Sequence, residues 1–130
     1  MRILGLVFLL AACSPQPAEA PAERLLYAGE GRDRLCVSGQ RGGLIIYGAG
    51  DTNCSARGHV ERSGDRLTLI PDGDPDCRIE ATLSGDNLRL GARSLSCAYY
   101  CGPGADFAGK ALAKDAAAWP ARDFAGDPLC

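Results

Sequence analysis

Cys97 and Cys101, four positions apart in "CAYYCGPGAD", are the residues best suited by type to do chemistry in this 130-residue chain. A redox pair would need one exposed thiolate of low pKa, held beside a cation or at a helix N-terminus. The C-x3-C spacing is not the C-x2-C of dithiol redox sites, and no βαβ pattern surrounds it. A metal clamp could add only His59, the single histidine, to make three ligands, whereas structural zinc takes four. If both cysteines lay on one strand they would share a face about 13 Å apart, so a mutual bridge would require the strand to break at Tyr99. The pair is expected to enter two separate structural disulfides.

Other chemistry-bearing groups fare no better. Asp72, Asp74 and Asp76 have the D-x-D-x-D spacing that opens a calcium loop, but Cys77 and Leu83 stand where an EF-hand needs glycine and glutamate. The stretch reads as an acidic hairpin loop. His59 sits in an alternating run and is expected to be an ordinary exposed side chain. No G-x-S-x-G with a histidine suggests a triad, and "GEG" and "RGG" lack the strand–loop–helix setting of a phosphate cradle. The expectation is no catalytic residue, no metal, no cofactor and no enzyme. Tyr99, Tyr100 and Trp119 form a candidate contact patch, although in a domain with 6% aromatic residues their burial is the expected use.

The elements that must position these residues are short strands. "SGDRLTL" (Ser63 to Leu69) and "SGDNLRL" (Ser84 to Leu90) each set a Ser-Gly-Asp turn ahead of an alternating run. Their glycines suit tight hairpins, and Leu67/Leu69 and Leu88/Leu90 then share one face. "HVERS" and "RIEATLS" precede them, and a third hairpin is expected around "SGQRGG". The fold class is mainly β: a small disulfide-stapled β-meander of six or seven strands, an open barrel or a sandwich. After "GPG", Ala105 to Trp119 is alanine-rich, with Ala108, Leu112, Ala116 and Trp119 at helical spacing before Pro120. A short C-terminal helix is expected there. "DFAG" recurs at Asp106 and Asp123, and Phe107 and Phe124 are expected as hydrophobic plugs.

Cys36, Cys54, Cys77, Cys97, Cys101 and Cys130 make an even set, which in an exported domain reads as three disulfides. Folding about Gly64 favours Cys54–Cys77, with Cys101–Cys130 and Cys36–Cys97 completing the set. Folding about Asp86 would bring Cys77 to Cys97 instead.

The seventh cysteine belongs to the leader. "MRILGLVFLLAAC" has one positive charge, an apolar run from Ile3 to Leu10, two small residues and Cys13. The run is too short for the roughly 20 apolar residues of a membrane span and reads as a signal-peptide core. "LAAC", Leu10 to Cys13, resembles the lipobox of bacterial lipoproteins. That resemblance implies cleavage before Cys13, lipidation of its sulfur and acylation of its amine. By the family's sorting rule, Ser14 in place of aspartate implies the outer membrane. The expected organisation is a signal peptide at 1–12, a lipidated Cys13 and Pro/Ala-rich tether at 13–23, and one disulfide-rich domain at 24–130. Within that domain, 24–100 is expected to form the meander and 101–130 the helical C-terminal segment.

Without the leader's Arg2 the chain carries 13 basic and 16 acidic side chains, a net charge of −3. That balance excludes a basic nucleic-acid footprint and a polybasic lipid-binding patch. The expected function is a non-enzymatic binding module, anchored in the cell envelope by its lipid with the domain in the periplasm, and recognising a protein or cell-wall ligand. An accessory subunit of an envelope complex is the alternative, and a thiol- or metal-handling protein using Cys97 and Cys101 is a more distant one. In size, location and β-rich build the chain is similar to small lipoproteins that inhibit host lysozyme, with none of that family's inhibitory residues matched here.

Overall fold

Three two-residue hairpins set the architecture. Ser38 pairs with Arg41, Ser63 with Arg66 and Ser84 with Asn87. Gly39, Gly64 and Gly85 take φ of 59°, 60° and 59°, and among the described residues no non-glycine residue has a positive φ. This is the pattern of a type II′ turn, whose twist matches that of the strands it joins. The computed structural model describes Cys13 and residues 23–130. The expected signal peptide at 1–12, and the expected tether between Cys13 and Glu23, lie outside the described residues.

Eight antiparallel strands follow in order: β1 (Arg24–Ala28), β2 (Arg34–Ser38), β3 (Arg41–Tyr47), β4 (Asn53–Ser63), β5 (Arg66–Pro71), β6 (Ile79–Ser84), β7 (Asn87–Leu90) and β8 (Ala111–Lys114). Each pairs with the next, and β8 returns to β1 through Tyr27↔Lys114 and Ala28↔Ala113. The sheet is therefore a closed barrel, with no free edge.

Alternation along the strands sends one set of side chains inward. Tyr27, Leu35, Val37, Leu44, Ile46, Leu67, Leu69, Leu88, Leu90 and Leu112 are buried in one cluster that fills the barrel. The interior is a packed core rather than a channel, as expected for a barrel of this strand number.

The segment after Gly104 matches the expected helix only loosely. Ala111–Lys114 is strand β8, and only Ala116–Ala118 makes a 3-10 turn. Phe107 is buried, whereas Phe124 is 59% exposed, so the two "DFAG" copies have different fates.

A second, smaller core lies outside the barrel. Residues 119–130 cross the outer face of β1–β3, burying Cys36, Ile45, Ala121 and Leu129 together, with Leu26, Tyr47 and Cys130 packed against them. Cys36–Cys130 pins this strap. Arg57 fastens it from β4, donating to the Pro128 carbonyl at 2.9 Å and lying 3.3 Å from Asp123. Gly43 lets the strap lie flat, because a Cβ there would stand 2.6 Å from the Leu129 carbonyl oxygen.

The other disulfides are Cys54–Cys101 and Cys77–Cys97. The expected pairings Cys54–Cys77, Cys101–Cys130 and Cys36–Cys97 are corrected. Strand β5 stops at Pro71, and the loop that follows, which holds Cys77 just before β6, carries it away from Cys54. The hairpin at Gly85 then brings Cys97 to Cys77. Cys36 lies between the inward Leu35 and Val37, so it faces outward and meets the strap rather than the barrel end.

Candidate functional site

The connections of the barrel alternate between its two ends, and the longest, residues 91–110, closes one of them. Within it Leu95–Tyr100 forms a 3-10 helix whose one buried residue is Cys97. Cys97 bonds to Cys77, and Cys101, at the helix C-terminus, bonds to Cys54 at the start of β4. Gly102 N–H donates to the Asn53 carbonyl at 2.9 Å, continuing the attachment. Phe107, from the same connection, is buried in the barrel core. Cys97 and Cys101 thus enter separate disulfides, each with a fully buried partner sulfur residue. They hold a helix across the barrel end, and neither is a free thiolate.

The same helix holds two large side chains out in water. Leu95 is 95% exposed and Tyr99 is 89% exposed. Tyr100 turns the other way and is only partly exposed; its ring meets Tyr99 edge-on with centroids 5.3 Å apart. Its hydroxyl donates to the Asp74 carboxylate at 2.9 Å. Partial burial, with Asp74 alongside, pushes the Tyr100 phenol up to about 12. Burial was expected for Tyr99, and its exposure is a correction. The barrel was already filled by aliphatic side chains, with Tyr27 and Phe107 the aromatic contribution.

Trp119 does not join this patch. It is 41% exposed and lies under the Arg24 guanidinium, 4.1 Å from the ring centroid. Arg24 begins β1 and pairs with Ser38, beside the Gly39 turn. Trp119 therefore belongs to the opposite end of the barrel from Tyr99 and Tyr100. Leu95 is the residue that the sequence reading missed. Its available signal is a lone leucine between Ser94 and Ser96, outside any alternating run.

The acidic loop is engaged in structure. Arg41 donates twice to Asp72, at 2.6 and 2.5 Å, and this holds the Asp72 carboxyl below its ordinary pKa. Asp74 accepts from Tyr100. His59 is an exposed, outward residue of β4. Among the described residues no group of three or more His, Cys, Asp or Glu could hold a metal ion. Among them, too, no helix is long and apolar enough to cross a membrane. Cys13 is exposed and unpaired.

The result is a covalently fixed barrel end with an aliphatic and an aromatic side chain displayed on it. Compared with protein-family models, curated proteins and solved structures, the chain matches none.

Proposed function

We propose that this chain is a lipid-anchored protein of the bacterial cell envelope that acts as a non-enzymatic binding module, docking a protein or cell-wall ligand on Leu95 and Tyr99. The observation that carries the reading is the exposure of these two side chains on a helix pinned by two disulfides. An exposed apolar pair on a fixed frame loses little conformational freedom on docking, so less of its contact energy is spent on ordering. Aromatic anchors of this kind dominate the energetics of many interfaces.

The leader supports the location. "LAAC" ends at Cys13, and a thioether-linked diacylglycerol there with a further acyl chain would anchor stably. The chain enters the barrel at Arg24, at the end opposite the pinned helix. A lipid on Cys13 would keep the Arg24 end toward the outer membrane and present Leu95 and Tyr99 away from it, into the periplasm. Inhibition of lysozyme is one form this binding could take, and loss of lysozyme activity at micromolar protein tests that form.

The decisive experiment is photo-crosslinking from position 99 in intact cells, with position 82 on the exposed outer face of β6 as control. It is paired with co-sedimentation of the protein on purified sacculi. The expected result is a discrete adduct, or retention on sacculi, that depends on position 99 and is lost in Leu95→Ser. Identical behaviour from positions 82 and 99, with no retention on sacculi, contradicts the proposal.

A further inference from the structure

The end of the barrel opposite the pinned helix carries a cleft of about 470 Å3. This falls within the roughly 300–1,000 Å3 of ordinary small-ligand sites, and the mouths of β-barrels are among the places where such sites occur. Its floor is aliphatic: Leu25, Val37, Val60 and Leu67, all on the inward faces of their strands. Three charged residues border it, Glu23, Glu61 and Arg62, and strand alternation aims two of them, Glu23 and Arg62, over the floor.

Arg62 is two positions beyond Val60 on β4 and pairs with Leu67, so it shares the inward face. Glu23 is two positions before Leu25, and the bond from Gly39 N–H to the Glu23 carbonyl keeps it in register with β2. Both are exposed. Neither makes an ion pair within 4 Å among the described residues. Glu61, which also borders the cleft, points to the outer face and is engaged by Arg78 at 3.0 Å. The mouth therefore presents one unpaired charge of each sign on either side of an apolar floor.

We propose that this mouth binds a short zwitterionic peptide bearing an aliphatic side chain. The aliphatic group rests on the floor, the terminal carboxylate is taken by Arg62 and the terminal ammonium by Glu23. The guanidinium fork suits a carboxylate in two-point contact. Spacing sets the length. Glu23 and Arg62 belong to β1 and β4, three strand intervals apart around the wall, at about 4.8 Å each. A free amino acid carries both charges on one carbon and reaches one partner only. Each added residue separates the termini by up to about 3.5 Å, so two or three residues reach both. The site is at the other end of the barrel from Leu95 and Tyr99. Its failure would leave the docking surface standing, and the converse also holds.

The test is a titration of the 15N-labelled protein with alanyl-leucine, its N-acetyl derivative and its C-terminal amide, followed by amide chemical shifts. The expected result is that the zwitterion moves the amides of Val37, Gln40, Val60 and Leu67. Each neutralised terminus should weaken binding by about tenfold or more. Arg62→Gln should then bind the zwitterion no better than the wild type binds the amide. Glu23→Gln should bind it no better than the wild type binds the acetylated peptide. Both substitutions are at exposed positions, and the spectrum itself reports that the fold is kept. Absence of shifts at the mouth at millimolar peptide overturns the proposal. So does equal or tighter binding of the acetylated peptide, which would mark the mouth as a site for simple carboxylates.

Discussion

The two ends of the barrel are built in opposite ways. One is closed by a long connection, two disulfides and a buried phenylalanine, and it displays apolar side chains outward. The other is trimmed to two-residue hairpins, holds no disulfide, and places apolar side chains inward beneath a charged rim. This small domain obtains its rigidity unevenly. Covalent and packing constraints are concentrated where side chains must be held out against water. The end that merely surrounds a cleft relies on hairpin turns.

Substitutions at the closed end should therefore cost far more stability than those at the mouth. The largest effect is expected from Phe107→Ala, which removes the buried aromatic ring that the closing connection sends into the core. It should lower the unfolding free energy by about 3–5 kcal/mol in a denaturant titration. A loss below about 1 kcal/mol would mean that the helix, and not Phe107, closes the barrel. Next, replacing Cys54 and Cys101 together with serine should cost about 2–4 kcal/mol. Proteolysis should then begin within residues 95–110. If cleavage begins at the hairpin turns of the mouth, the comparison is reversed.

Tyr100→Phe sharpens the same contrast at smaller scale. Losing the bond to Asp74 should cost about 0.5–1.5 kcal/mol. The phenol is raised from its ordinary 10 to about 12 in the folded protein. Its protonated form is thus favoured by folding, and its contribution is full below pH 10 and lost as pH rises toward 12. The wild type should show this alkaline loss, and Tyr100→Phe should lack it; equal pH profiles would remove the assignment. The smallest effect belongs to the mouth: Arg62→Gln should change stability by no more than about 0.5 kcal/mol. A larger loss there would show that the rim is structural.

Much of the barrel was legible from period-two alternation and from the Gly-Asp and Gly-Gln turns, because each local signal agreed with the final fold. The outward direction of Cys36 could also be read from "RLCVS", since its neighbours are the inward Leu35 and Val37. What hid its partner was the strap, whose path across β1–β3 is fixed by burial of Leu129 and by the close approach that Gly43 permits. The alanine-rich stretch after Gly104 misled for a different reason. Helical spacing there competed with the demand of β1 and β7 for a pairing partner, and four residues, Ala111–Lys114, satisfy both strands. Barrel closure is a property of the whole sheet, and no window of sequence carries it. Tyr99 was misjudged by composition: few aromatics suggested burial, but the space inside had been taken by leucine, isoleucine and valine.

Cys97 and Cys101 are scaffold, fixing the barrel end on which Leu95 and Tyr99 are held out. The test is intact mass of the native protein purified without reductant, with and without alkylation before reduction, followed by non-reducing peptide mapping. The expected result is no alkylation of these two cysteines and linked peptides for Cys77–Cys97, Cys54–Cys101 and Cys36–Cys130. Alkylation of both Cys97 and Cys101, or a peptide joining them to each other, would contradict it and return chemistry to that pair.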